Sequence, residues 1–302
     1  MVDILMATYN GEAFVEEQIR SIMRQSYTDW HLLIHDDGSI DSTVRIIQTL
    51  AQEDNRIRLI DDACTHIGVA RNFLHLLSYT TAPYCMWCDQ DDIWLESKVE
   101  TMVHAIESQD NTQPQVVYSN AYLWSAERGI LSDKNTLTYP TTLQQALFLN
   151  TGIQGAAAIF NGAMRQLLCV PLAHYAMHDH VLLLSGITMG EVHYLHVPLM
   201  YYRQHSHNVT GNAPGSMRKK VALLWHNRHV PLVSRDHYEG VRAFYEQFAA
   251  QLRPADRELI EVFLSLPGKS FLSRARLVCK YHFQLFDSTI LLLMKMSIRK
   301  FI

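Results

Sequence analysis

The chain reads as an α/β protein built on a mostly parallel sheet with helices on both faces. Short apolar runs, VDILMAT (2–8), HLLIH (31–35) and YCMWC (84–88), alternate with segments whose apolar residues recur at helical spacing. Each run ends in a polar cluster (TYN, DDGS, DQDD), as expected where parallel strands deliver their carboxyl ends to one crevice. The 302 residues, 48% hydrophobic and 10% aromatic, suffice for one large core or two smaller ones and argue against disorder.

The elements follow in order. Residues 2–8 predict a first strand, and YNGE turns into a helix carrying Val15, Ile19, Ile22 and Met23. A second strand at His31–His35 ends in DDGS, after which Ser39 or Asp41 can cap a helix bearing Val44, Ile47 and Leu50. IRLID predicts a third strand, Gly68–Tyr79 a third helix and Tyr84–Asp89 a fourth strand. Beyond these come a strand at Val116–Leu123, a loop through Pro140, the small-residue stretch TGIQGAAAIFN, then MHDHVLLL and the strand-like VHYLHVPLMYYRQH. From about Pro214 the pattern becomes basic and helical. The expected division is 1–115, 116–212 and 213–302, with a boundary near 210–215.

The net charge of −4 hides an asymmetry: residues 1–215 carry −12 and residues 216–302 carry +8. A basic tail rich in Leu, Phe, Trp and Met suits an anionic membrane surface better than nucleic acid, because no aromatic-basic groove motif accompanies it. A solvated helical face fits the same pattern. Ser288–Met294 is the longest uncharged part of the most apolar segment, far below the roughly 20 residues a spanning helix needs. Five cysteines without disulfide-like spacing, and an N-terminus that runs straight into a strand, predict a reduced, cytosolic protein.

The charge-bearing stretch is MWCDQDDIW. Asp89 and Asp91 stand two apart where a strand ends, so extended geometry turns both to one side, where unpaired they repel. A hard divalent cation removes that cost, and Mg²⁺ or Mn²⁺ keeps coordination sites for substrate phosphates. A bare DxD also occurs as an acidic surface turn, with Asp92 capping the next helix. An EF-hand fails because Ile93 and Trp94 fall where a ligand and the turn glycine belong, and Cys85 and Cys88, three apart on a strand, face opposite ways.

DDGS has acceptors for a base or ribose edge, and Gly38 allows close backbone approach. Thr8, Tyr9 and Asn10 offer hydroxyls and a stacking ring, and Arg71 could meet a diphosphate. His178-Asp179-His180 could supply a general base, since a carboxylate at the edge of an apolar pocket gains proton affinity. The rival is a Zn²⁺ site among His174, His178, His180, His193 and His196, although no HExxH spacing is present. In YYRQHSHN, Arg203 or His205 could touch phosphate.

Taken together, ATYNGE, DDGS, GVARN, CDQDDIW, MHDH and YRQHSHN, in this order, resemble family 2 inverting glycosyltransferases of the GT-A fold, over about residues 1–210. The similarity is strongest to bacterial O-antigen and capsule enzymes with a DQDD motif, which include rhamnosyltransferases and β-1,3-glucosyltransferases. The resemblance implies a Rossmann-like mixed, mostly parallel sheet with a C-terminal helical basic extension. It further implies that Thr8 and Tyr9 flank the nucleotide, Asp37 reads the pyrimidine and Arg71 contacts the donor diphosphate. Asp89 and Asp91 match the DxD pair, Asp91 as the Mn²⁺ or Mg²⁺ ligand and Asp89 as a ribose or outer partner, and Asp179 falls at the catalytic base. One departure is His178 where the family often has an acid before that base; another is the absence of Gln-x-x-Arg-Trp, which favours single addition over polymerisation.

The implied function is transfer of a hexose, UDP-glucose forming a β linkage being favoured and dTDP-rhamnose the alternative, to a polyprenyl-diphosphate-linked GlcNAc. The enzyme would act peripherally on the inner face of the cytoplasmic membrane. A nucleotide-sugar binder without turnover would need neither Asp91 nor Asp179. A nucleotidyltransferase usually has a Gly-rich basic phosphate loop after its first strand, whereas TYNGE has one glycine and no Lys or Arg.

Overall fold

The computed structural model describes residues 1–136, 138–149, 153–204 and 229–302. The first part alternates as expected: β1 (Val2–Thr8), α1 (Val15–Met23), β2 (Trp30–Asp36), α2 (Thr43–Glu53), β3 (Ile57–Leu59), α3 (Val69–Leu76) and β4 (Tyr84–Cys88). Then follow β5 (Ile93–Trp94), α4 (Lys98–Glu107), β6 (Gln115–Ser125), β7 (Gly129–Ser132), α5 (Leu143–Ala146), β8 (Ala158–Asn161), α6 (Gly162–Leu168), α7 (His178–Met189) and β9 (Glu191–Arg203). Four helices close the described chain: α8 (Arg235–Phe248), α9 (Pro254–Ser265), α10 (Phe271–Lys280) and α11 (Thr289–Ile298).

One sheet runs β3-β2-β1-β4-β8-β6-β9-β5, with β7 on β6. β1 to β4 are parallel; β8 is antiparallel to β4 and to β6, and β9 parallels β6. Six of the nine strands, β1 to β4, β6 and β9, therefore share one direction, which is the mixed, mostly parallel sheet expected. Successive residues of β1 enter opposite cores, Leu5 and Ala7 on one face and Ile4 and Met6 on the other. A strand buried on both faces reads as a continuous apolar run, which explains VDILMAT.

The C-terminal helices join the core containing Leu5, Trp87 and Phe160 through Phe244, Phe263, Phe283, Leu292 and Phe301. Backbone bonds from Leu232 N–H to the Lys300 carbonyl (2.8 Å) and from Val233 N–H to the Phe301 carbonyl (2.9 Å) stitch the last residues beside the start of this region. Half of the tail's excess charge, Arg218, Lys219, Lys220 and Arg228, lies outside the described residues, as do His205 and the proposed boundary at 210–215. No helix among the described residues is long and apolar enough to cross a membrane.

Two local expectations are corrected. Asp92 does not start a helix: β5 intervenes and α4 begins at Lys98 after Ser97. TGIQGAAAIFN, whose small residues suggest a flexible lining of the acceptor cleft, is instead buried from Ala156 to Asn161 and ends as β8 in mid-sheet, with Gln154 and Gly155 lining the cavity. Its Thr151 and Gly152 lie outside the described residues.

Candidate active site

Register brings the strand ends together. Thr8 pairs with Asp36 across β1 and β2, and Met6 pairs with Cys88 across β1 and β4. TYN, DDGS and DQDD thus open on one cavity of about 1680 Å³, large enough for two substrates. Thr8, Tyr9, Asp37, Asp89, Asp91 and Asp179 all line it.

The first two loops lock each other. Asp36 accepts bonds from Thr8 Oγ1 (2.8 Å), Ser39 Oγ (2.6 Å) and the Gly38 and Ser39 amides. Asn10, at φ 47°, accepts from the Ile40 amide and donates its own amide to Ser39 Oγ. Gly38 sits at φ 90° with His66 Cε1 only 2.7 Å from where a Cβ would stand, so both conformation and space demand glycine. The Asp37 carboxylate accepts the Ile67 and Gly68 amides, both at 2.8 Å, which fixes the loop before α3 as one wall.

Tyr9 is half exposed, its ring edge-on to His66 at 6.5 Å between centroids, while its backbone is held twice by Gln90: Tyr9 N–H donates to Oε1 (2.9 Å) and Nε2 donates to the Tyr9 carbonyl (3.1 Å). Gln90 therefore couples the loop after β1 to the acidic loop after β4.

Arg71 is exposed, its guanidinium 5.8 Å from the Tyr175 ring centroid, and it does not itself line the cavity, whereas Val69 and Asn72 do. Arg203 likewise does not line the cavity: its Nε donates to the Asp91 carbonyl (2.8 Å), its amide to Asp92 Oδ1 (3.3 Å), and it pairs with Glu17. It braces the acidic loop from behind.

Burial and the neighbouring Asp91 raise the proton affinity of Asp89, and burial with both neighbours raises that of Asp92 further. Lys98 opposes both. Fully buried, it lies 3.8 Å from the Trp94 ring centroid and donates to the Ala156 carbonyl (2.6 Å), and burial depresses its own pKa. Two crowded carboxylates on a cavity floor, electrostatically unfavourable without a cation, are a donor set that fits Mg²⁺ or Mn²⁺.

Asp179 stands in the first turn of α7, where the helix dipole favours an anion. Burial nevertheless pushes its pKa up to about 8, with the charge of Asp89 adding to the effect and the His180 and Gly155 amides opposing it. Its Oδ1 is buried without a hydrogen-bond partner among the described residues. His178 stacks on Phe73 (4.0 Å between centroids) and meets Trp87 edge-on (4.6 Å), and burial pushes its pKa down to about 3. A neutral, packed His178 takes the place of the acid often found there. Gly155 supports the pair by its absence of side chain: a Cβ would stand 2.6 Å from His178 Nε2 and 3.3 Å from Asp179 Cβ.

The five histidines of the rival zinc reading do not converge. Among the described residues, the one group of three His, Cys, Asp or Glu with ligand atoms within 4.8 Å of one another is His35, Asp62 and His75. Asp62 there already accepts from Tyr79, His75 and the Cys64 amide, which holds its carboxyl well below the usual range. Cys85 and Cys88 are buried free thiols whose proton affinity burial raises, consistent with packing.

Comparison with solved structures identifies the architecture as the GT-A fold. TarS 1-349 of S. aureus in complex with UDP superposes with a TM-score of 0.57 at 13% identity, covering 87% of this chain and 69% of that one. The mannosyltransferase PcManGT from Pyrobaculum calidifontis, in complex with GDP-Man and Mn²⁺, gives 0.52 at 14% identity, covering 98% and 85%.

The chain belongs to glycosyl transferase family 2, whose model matches residues 3–168. The E. coli UDP-Glc:alpha-D-GlcNAc-diphosphoundecaprenol beta-1,3-glucosyltransferase WfgD is 34% identical over 104 residues, 34% of this chain and 40% of that protein. The dTDP-rhamnosyl transferase RfbG of Shigella flexneri is 30% identical over 125 residues, 40% of each. A second E. coli enzyme of the first description, WfaP, is 24% identical over 243 residues, 77% of this chain and 91% of that one. The chain spans about two fifths of the length of the first two relatives.

Proposed function

We propose that the protein is a metal-dependent inverting hexosyltransferase of bacterial surface-polysaccharide assembly. In this reading UDP-glucose is the donor, a lipid-diphosphate-linked GlcNAc the acceptor and the new linkage β. The observation that carries it is a single cavity holding the acidic pair Asp89/Asp91 and, separately, Asp179 with raised proton affinity. The activities of the relatives WfgD and WfaP support the donor and acceptor classes, and RfbG keeps dTDP-rhamnose as the alternative donor.

In the mechanism this chain supplies, Tyr9 stacks on the nucleobase while Thr8 and Asp37 border it. Asp91, with Asp89 beside it, would hold the cation, which when bound offsets the charge growing on the leaving nucleoside diphosphate. Asp179 accepts the proton of the acceptor hydroxyl as its oxygen attacks the anomeric carbon from the opposite face, so configuration inverts. A group with pKa near 8 is well matched to that transfer at neutral pH.

We further assign residues 1–115 to the donor, 116–212 to the acceptor and 213–302 to peripheral contact with the inner leaflet. Exposed Leu272, Ile290 and Met294 beside exposed Arg276, Lys280 and Lys300 support that contact.

The test offers a panel of labelled nucleotide sugars with a synthetic GlcNAc-diphospho-lipid, with and without EDTA. Transfer from UDP-glucose that EDTA abolishes and Mn²⁺ restores is expected. Transfer undiminished by EDTA would remove the role given to Asp91, and binding of UDP without transfer from any sugar would favour a pure binder.

A further inference from the structure

The cavity that holds Asp37, Asp89, Asp91 and Asp179 is also lined by Lys295, in the last turn of α11, and by Arg299, at its C-cap. Their placement four apart brings like charges together, which is unfavourable unless something anionic lies between them. Among the described residues neither has a carboxylate within 4.0 Å, and Arg299 Nε is buried without a hydrogen-bond partner. Nor does any other part of the chain offer one, since residues 137, 150–152 and 205–228 contain no Asp or Glu.

A helix C-terminus favours cations, which accounts for their presence there but not for a guanidinium nitrogen kept from water and facing a cavity. Burial and the adjacent guanidinium both lower the pKa of Lys295, as expected for a cation waiting for an anion.

The surroundings say which anion. Lys295 Nζ lies 5.5 Å from the ring centroid of Phe286, which is itself part-exposed, lines the cavity and holds a left-handed backbone at φ 49°. Ile290, Met294 and Ile298 form the adjacent, exposed stripe of the same helix. A ligand that is a diphosphate at one end and an aliphatic chain at the other fits this combination. A nucleoside diphosphate does not need the apolar ridge.

We propose that Lys295 and Arg299 form the subsite for the diphosphate of a prenyl-diphosphate acceptor, whose hydrocarbon chain leaves over Phe286 and the Ile290–Met294 ridge. This deepens the lipid-linked-acceptor reading and rests on it. The two diphosphates of the reaction are then kept apart by charge, the donor's over the cation at Asp91 and the acceptor's on the two side chains of α11.

The experiment compares wild type with Lys295→Gln/Arg299→Gln in three arms. Binding of farnesyl diphosphate is measured calorimetrically with UDP and Mn²⁺ present, and should weaken at least tenfold in the double variant while UDP affinity stays within twofold. Each single Gln variant should show part of the loss and Lys295→Arg/Arg299→Lys should retain binding, so misfolding of the double variant cannot decide the matter. Equal affinity in wild type and variants, or a parallel loss of UDP binding, would overturn the proposal.

Pelleting with phosphatidylglycerol vesicles forms the second arm. Loss of pelleting with farnesyl diphosphate affinity intact would assign the cations to a lipid headgroup and also overturn it. In the third arm, transfer to GlcNAc-diphospho-lipid should show a raised KM in the variant while transfer to an alkyl GlcNAc glycoside does not. Wild type that binds farnesyl diphosphate through both cations yet glycosylates neither acceptor would refute the transferase reading and leave the subsite standing.

Discussion

Replacing Asp179 by Asn should cost activity and add stability, two effects that a purely structural carboxylate would not produce together. The side chain would be nearly isosteric but unable to take a proton. A positioned general base contributes about 10²–10⁴-fold, so kcat/KM for transfer should fall by about 3–5 kcal/mol with donor affinity unchanged. Stability moves the other way. Asp179 titrates near 3.8 when solvated and near 8 in the fold, so the folded state binds the extra proton between those values. Its stability contribution is complete below pH 4 and is lost as pH rises through 8. At 1.36 kcal/mol per pKa unit the ionised carboxylate costs on the order of 5 kcal/mol, a ceiling of which Asn should recover about 1–2. The assay pairs a pH profile of kcat/KM with thermal unfolding at pH 4 and pH 8. Wild type should show a limb rising toward about pH 8 that disappears in the variant, and the variant's Tm should exceed wild type at pH 8 but not at pH 4. A variant that keeps more than a tenth of the activity, or the same limb rising toward pH 8, or a lower Tm at pH 8, would refute the assignment.

Gly155→Ala should lower kcat about 10²-fold with little effect on nucleotide binding, because its Cβ would stand 2.6 Å from His178 Nε2 and displace the base beside it; normal kcat in steady-state assays would contradict this packing. Lys98→Met should lower stability at pH 7 by about 3 kcal/mol, since it strips buried Asp89 and Asp92 of the cation that opposes their crowding and takes a donor from the Ala156 carbonyl; an unchanged or higher Tm would contradict this. Because Lys98 lowers the proton affinity of Asp89, the same variant should need higher pH to bind Mn²⁺, readable by proton relaxation at pH 6.5 and 8. Deleting residues 271–302 removes Val278, Phe283, Leu292, Met296 and Phe301 from the core, at about 1.5–3 kcal/mol each a loss comparable to whole-domain stability. Calorimetry should show no cooperative transition, whereas Leu272→Ser/Ile290→Ser/Met294→Ser, confined to exposed positions, should keep the wild-type Tm and lose vesicle binding.

The strand ends were legible because polar clusters interrupt continuous apolar runs, and parallel pairing then forces TYN, DDGS and DQDD to one edge. What the motifs hid was the division of labour inside them. Gln90 looks like a spacer between two acids, yet it clamps Tyr9, and only the register of β1 against β4 brings them within reach. Lys98 was visible in principle, since it shares a helix face with Met102, Val103 and Ile106, but a lysine on an apolar stripe usually reads as a boundary. Asp92 was misplaced as a helix start because β5 is only two residues long, too short to leave a periodic signal. Arg71 is exposed while Val69 and Asn72 of the same turn line the cavity, an azimuth that spacing alone does not fix. Lys295 and Arg299 carry no motif, and only long-range packing brings α11 to a cavity built by residues some two hundred positions earlier.

The bonds that stitch residues 232 and 233 to residues 300 and 301 have a consequence for synthesis. A ribosome extrudes β1 to β9 long before α10 and α11, so the apolar surface those last elements cover, Phe148 against Phe263, Phe283 and Phe301 included, waits uncovered while about the last hundred residues are made. The nascent chain is then an adhesive surface rather than a folded half. Its safe passage depends on a chaperone or on the speed of translation through the final helices, and synonymous slow codons in the stretch encoding residues 235–300 should lower soluble yield without altering a single residue.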